Sequence, residues 1–223
     1  MTLFNKFNDS NPSRRDFIAG IAAAAGGLTL AGGSLLAQNQ KARRIDVHHH
    51  MMPAGVAGAI RKWTPEESLD AMEKNNCATA ILSHVTVPEP LNDGTEKARA
   101  LARQVNEAGA KIVQAHPGRF GFFASVPGTD TDGCLKETEY ALDTLKADGI
   151  LLWSSMDGKF LGDPVYAPLL QELNRRKAVV YVHPKVTSEI NDAADPLRGL
   201  GINWENTTRT IISMLNSGIM MKI

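Results

Sequence analysis

A chain of 223 residues with 24 Lys and Arg against 24 Asp and Glu has no formal net charge. That balance, without any basic stripe interleaved with aromatics, excludes nucleic acid as the partner and leaves a small molecule. A hydrophobic content of 43% is that of a globular fold with a core.

The first motif is Ser13-Arg14-Arg15-Asp16-Phe17-Ile18, ahead of a charge-free run rich in Ala, Gly and Leu over residues 19–37. An arginine pair before a weakly apolar segment reads as a twin-arginine signal peptide over residues 1–40, with a general secretory peptide or an uncleaved anchor as competing readings. Cleavage near Ala37 would leave a domain over 41–223, delivered to the periplasm by the twin-arginine translocase. That route carries folded proteins, so a metal acquired before export would suit it.

After the signal, apolar runs alternate with helical patterns. Arg44 to His48 is β-rich, Ser68 to Asn75 reads as helix, Thr79 to Val85 as strand, and Thr95 to His116 as a long Ala-rich helix. Phe120 to Val126 reads as strand, Gly133 to Ala147 as helix, and Gly149 to Trp153 as strand. Asp163 to Arg176 is helix, Ala178 to His183 strand, and Asn206 to Ser217 the last helix. Strands each followed by a helix imply a parallel sheet with helices on its face, either an open doubly wound sheet or a (β/α)8 TIM barrel. No Gly-rich phosphate loop follows the first strand, which favours the barrel. A complete barrel takes ~250 residues, so about five of its eight βα units are expected here. Such a chain is a fragment, or it closes by association; the open edges of the first and fifth strands would suit a homo-oligomer.

Six histidines are present. In Ile45-Asp46-Val47-His48-His49-His50 the period of two puts Asp46, His48 and His50 on one face and His49 on the other, packed outside the barrel. His183 closes the strand Val179-Val180-Tyr181-Val182-His183, where Pro184 stops the ladder. Both positions lie at strand C-terminal ends, the face on which barrels build active sites. His48, His50 and His183 are therefore candidate ligands of one divalent metal, zinc or manganese, with a position left for water. His84 and His116 read as ordinary polar residues, and no role falls to Cys77 or Cys134. Trp63, beyond the first strand, and Trp153, at the end of the fourth, are candidate substrate-binding aromatics. Arg175 and Arg176 complement a helix C-terminus.

At these residues the chain resembles the amidohydrolase-related family that includes aminocarboxymuconate semialdehyde decarboxylase and the aromatic-acid decarboxylases. The matching stretches are Ile45 to Pro53, Trp63-Thr64-Pro65-Glu66, Ala80-Ile81-Leu82-Ser83 and His116 to Gly121. They continue through Ala147-Asp148-Gly149-Ile150, Leu161-Gly162-Asp163-Pro164 and Val179 to Pro184, in the family's order. The resemblance implies a (β/α)8 barrel with His48, His50 and His183 matching metal ligands. It further implies an acid/base histidine after the sixth strand and a metal-site aspartate after the eighth, both expected beyond Ile223. Decarboxylation of a small carboxylated aromatic or semialdehyde is the expected chemistry. Hydrolysis of a C–N or C–O bond and a non-catalytic, metal-binding fragment are the alternatives. With no catalytic residue expected within the chain itself, turnover is expected to be small.

Overall fold

The computed structural model describes residues 44–56, 62–84, 91, 95–185 and 204–223. The signal expected over residues 1–40 lies outside them. Five runs pair as parallel strands: β1 (Arg44–Met51), β2 (Cys77–His84), β3 (Phe120–Ala124), β4 (Gly149–Trp153) and β7 (Val180–His183), in the order β1-β2-β3-β4-β7. Strands β3 and β4 are buried along their whole length, as Phe-Gly-Phe-Phe-Ala and Gly-Ile-Leu-Leu-Trp require. The expected partial barrel is what this sheet forms.

Between β4 and β7 lies a small antiparallel ribbon, β5 (Ser155–Met156) and β6 (Lys159–Phe160), which the strand pattern does not announce. Its turn is Asp157-Gly158, both at positive φ (49° and 69°), the backbone of a tight two-residue hairpin. Buried Tyr166 ties the ribbon down, its hydroxyl donating to the Met156 carbonyl at 3.1 Å.

The first three strands lead to helices whose starts are marked by a side-chain cap. Helix α1 (Pro65–Lys74) begins one turn earlier than the apolar periodicity predicts, because Thr64 caps it and Pro65 fits its first position. Helix α2 (Glu96–Ala115) is capped by Thr95 and α3 (Thr131–Glu139) by Asp130, with a π turn over Tyr140–Thr144 following. Helix α4 (Ala167–Arg175) follows a 3-10 turn capped by Asp163. Helix α5 is Trp204–Asn216.

The core lies between the helices and the outer face of the sheet, built on Met51, Leu82, Phe122, Ile150 and Leu152. Helix α2 approaches closely at Gly109, where a Cβ would stand 3.0 Å from the Phe122 ring and 3.1 Å from Met51. Buried Asn106 fixes this helix to the end of β3, donating to the Ser125 carbonyl (2.9 Å) and accepting from the Ser125 N–H (2.8 Å). Helix α5 is tied to the ends of β4 and β7: Thr210 donates to the Ser154 carbonyl, and Asn206 to the Lys185 carbonyl. The Ser154 hydroxyl in turn accepts the Lys185 N–H at 2.9 Å. The chain leaving β7 is thus held from two sides.

Candidate metal centre

Strand β1 does not run in simple register with β2. Asp46 pairs with Ala80 and His49 with Leu82, so three residues on β1 oppose two on β2, a bulge at Val47 and His48. A bulge takes an amide out of the ladder, and here Asp46 replaces the missing partner: its Oδ1 accepts the His48 N–H at 3.0 Å. Its Oδ2 meets the His49 Nδ1 at 2.9 Å. Burial opposes ionisation of Asp46, but the bonds from His49 and the His48 amide outweigh it and hold the carboxyl below its ordinary value. Strict alternation would group Asp46 with His48 and His50; the bulge turns its carboxylate to the His49 ring instead.

His48 and His50 converge, with Nε2 atoms 3.1 Å apart. Both rings lie 5.2 Å, centroid to centroid, from the ring of His183. One nitrogen from each of the three falls within 4.8 Å of the others. Two nitrogens on one tetrahedral ion at ~2.0–2.1 Å stand ~3.3 Å apart, so His48 and His50 have the spacing of a ligand pair, with His183 as the third group within 4.8 Å. Strands β1 and β7 stand at opposite ends of the sheet order. Their side chains meet only because the sheet curls until its outermost strands face each other.

The hydrogen bonds settle which nitrogens point inward. His183 Nδ1 lies 3.0 Å from the Pro184 carbonyl, an acceptor only, so Nδ1 carries the proton. Its Nε2 lone pair is then buried, with no hydrogen-bond partner among the described residues. His50 Nδ1 sits 3.3 Å from the Ser83 hydroxyl, leaving Nε2 for the cluster. Burial pushes the His50 pKa down to about 4, aided by the neighbouring His183 and His48. Burial lowers His183 too, against the Pro184 bond. Neutral imidazoles with inward lone pairs are what a cation requires.

Aromatic rings surround the cluster. Trp153 pairs in register with His183, its ring 4.9 Å away, and its indole N–H is buried without a partner among the described residues. Tyr181 lies 5.5 Å from His48 and stacks on Phe123 at 5.2 Å, one interior layer nearer the strands' N-terminal ends. Composition gave no hint of Tyr181, yet it stands two residues before His183 and the period of two could have found it. Trp63 is placed elsewhere: its indole N–H donates to Ser68 of α1, whose hydroxyl also meets His49. His84 ends β2 in register with Met51, buried, with its pKa pushed down to about 4 by that burial. His116 ends α2 against Phe120. Cys134 is buried, which pushes its thiol up to about 12.

The depressed histidines fix how stability depends on pH. His50 and His84 stay neutral in the folded chain down to about 4, whereas in the unfolded chain they take protons below 6.5. Their contribution is complete above 6.5 and lost as pH falls toward 4. In chelator-treated protein the urea midpoint is expected to fall across that window, and His84→Gln to flatten the fall. A midpoint constant from pH 7 to 4 would contradict it.

Comparison with known proteins places this geometry. The amidohydrolase family pattern matches residues 45–222. Decarboxylase macB of Penicillium terrestre is 38% identical over 205 residues, 80% of this chain and 60% of that protein. The 6-methylsalicylic acid decarboxylase of Penicillium expansum is 37% identical over 195 residues, 79% of this chain and 60% of that one. The chain thus spans about 60% of the length of these curated relatives. A crystal structure of an amidohydrolase II superposes with a TM-score of 0.69 at 28% identity, over 80% of this chain and 63% of that one. A dihydroxybenzoic acid decarboxylase from Polaromonas, crystallised with manganese and an inhibitor, shares the fold at a TM-score of 0.63 and 20% identity, over 81% and 62%.

Proposed function

The chain belongs to the amidohydrolase family, and from that membership we propose that it serves metal-dependent decarboxylation of a small carboxylated aromatic acid, with His48, His50 and His183 as metal ligands. The buried, unpartnered Nε2 of His183, facing two further imidazoles, carries the assignment: a buried lone pair without a partner is unfavourable until something binds it. Relatives named as decarboxylases support the reaction type. Zinc is the proposed ion, since three imidazoles suit it, with manganese the alternative given its presence in the Polaromonas enzyme.

A divalent ion held there supplies positive charge and Lewis acidity toward a carboxylated substrate. The protein's own groups set the surroundings. The Pro184 carbonyl keeps the His183 proton on Nδ1, so the ring presents its lone pair inward. Trp153 is the proposed substrate-binding aromatic, its ring edge-on to His183 at 4.9 Å and with an indole N–H to donate to a substrate oxygen. The Phe123–Tyr181 stack lines the interior beneath the cluster. Burial, with the charge of Asp46 adding, pushes the Tyr181 hydroxyl up to about 12, so it remains a neutral donor. Trp63, held by Ser68, is left out of the proposed substrate contacts.

The test is carbon dioxide release from hydroxylated benzoic acids by the zinc- or manganese-loaded chain. Slow release above a chelated control, with KM raised in Trp153→Ala, is the expected outcome. Equal signals with and without metal, or cleavage of C–N bonds with no carbon dioxide, would refute it.

The Arg14-Arg15 pair and the apolar run behind it support export through the twin-arginine translocase to the periplasm. Exposed Ile45, Val47, Val179 and Val180 at the ends of β1 and β7 support self-association at the open edges of the sheet. Cell fractionation followed by sedimentation tests both. The chain is expected in the periplasm as a dimer or larger, and Arg14→Lys with Arg15→Lys is expected to keep it in the cytoplasm. A monomer, or export indifferent to the arginines, would remove the corresponding proposal.

A further inference from the structure

The outward-facing member of the histidine triplet is bonded entirely away from the imidazole cluster. His49 uses both ring nitrogens: Nδ1 meets Asp46 Oδ2 at 2.9 Å, and Nε2 meets the Ser68 hydroxyl at 2.8 Å. Ser68 also accepts the Trp63 indole N–H at 3.0 Å, and the second oxygen of Asp46 accepts the His48 amide at 3.0 Å. The protons can be assigned end to end. The Asp46 carboxylate only accepts, so His49 Nδ1 donates to it and Nε2 is left to accept the Ser68 hydroxyl proton, while the Ser68 oxygen accepts from Trp63. The other Asp46 oxygen takes the His48 N–H. Every donor has one acceptor.

This chain of bonds begins on a rigid support. Ser68 and Trp63 are buried, Ser68 lies in the first turn of α1, and that turn is fixed by the Thr64 cap and by buried Met72. It ends at the bulge of β1, where the register with β2 is broken between Asp46 and His49. A bulge with free amides would let the His48 and His50 rings swing apart.

We infer that Asp46 and His49 are positioning residues for the metal site, a relay that transmits the rigidity of α1 to the His48 backbone and so presets the ligand nitrogens. The inference rests on the ligand assignment above. Groups that orient ligands without touching the ion change metal affinity by ~10–100-fold when removed.

The experiment uses the full chain, stripped with chelator and titrated with Mn²⁺ alone against a competing chelator, and with Co²⁺ alone for its visible spectrum. Asp46→Asn and His49→Phe are expected to weaken Mn²⁺ binding ~10–100-fold and to shift the Co²⁺ bands, with Ser68→Ala acting in the same direction. A merely structural relay would lower the melting temperature of the stripped protein and leave affinity and spectrum unchanged, and that result would overturn the inference. His48→Ala separates the two claims. If it leaves Mn²⁺ binding intact, the ligand assignment fails and the relay falls with it; if it abolishes binding while Asp46→Asn does not weaken it, the relay alone fails. Should Asp46→Asn not fold, Ser68→Ala decides by the same two readouts.

Discussion

Three imidazoles drawn from the two ends of a parallel sheet meet at one point, and the rest of the fold can be understood as what that meeting requires. Among the described residues, strands β1 and β7 share no ladder, yet His48 and His50 pack ring to ring with His183. A flat five-stranded sheet would hold them some 20 Å apart at the ~4.8 Å spacing of neighbouring strands. The curl that removes this distance comes from right-handed twist and from helices packed on the convex side, with α2 seated on Phe122 and Met51 where Gly109 has no Cβ to keep them apart. Burying the His183 Nε2 lone pair without a partner is unfavourable unless a cation takes it up, and the core's packing energy offsets that cost.

The surroundings of the cluster divide into groups that face inward and groups that hold these in place. His183 is oriented by Pro184, and the segment after it is held by Ser154 and Asn206. His50 is oriented by Ser83, and the His48 backbone by Asp46. Trp153 and the Phe123–Tyr181 stack line the interior, where burial lowers the pKa of His50 and His183. Family membership and geometry agree on a place where three imidazoles could hold a metal ion.

Much of this was legible in the residues. Apolar runs with no polar alternation mark buried parallel strands, and His-x-His at one strand end with His-Pro at another marks convergent ligands, because the period of two and the stop at proline are local properties. The bulge in β1 was not legible: it arises from the register between Asp46 and Ala80, a relation between distant segments. Asp46 was consequently grouped with the ligand face instead of with His49. The β5–β6 ribbon had a signal in Asp157-Gly158, but its two-residue strands are too short for any periodicity. The first turn of α1 had one in Thr64-Pro65, which apolar spacing alone passes over. Trp63 and Trp153 look alike as sequence; only tertiary packing separates the one bonded to Ser68 from the one beside His183.

The most direct test of the central claim is X-ray absorption at the metal edge of the zinc-loaded chain, which counts imidazole nitrogens around the ion. Three histidine nitrogens at ~2.0–2.1 Å, falling to two in His183→Ala, is the result expected of His48, His50 and His183 closing on one ion. A shell of oxygen or sulfur, or one indifferent to His183, would contradict it.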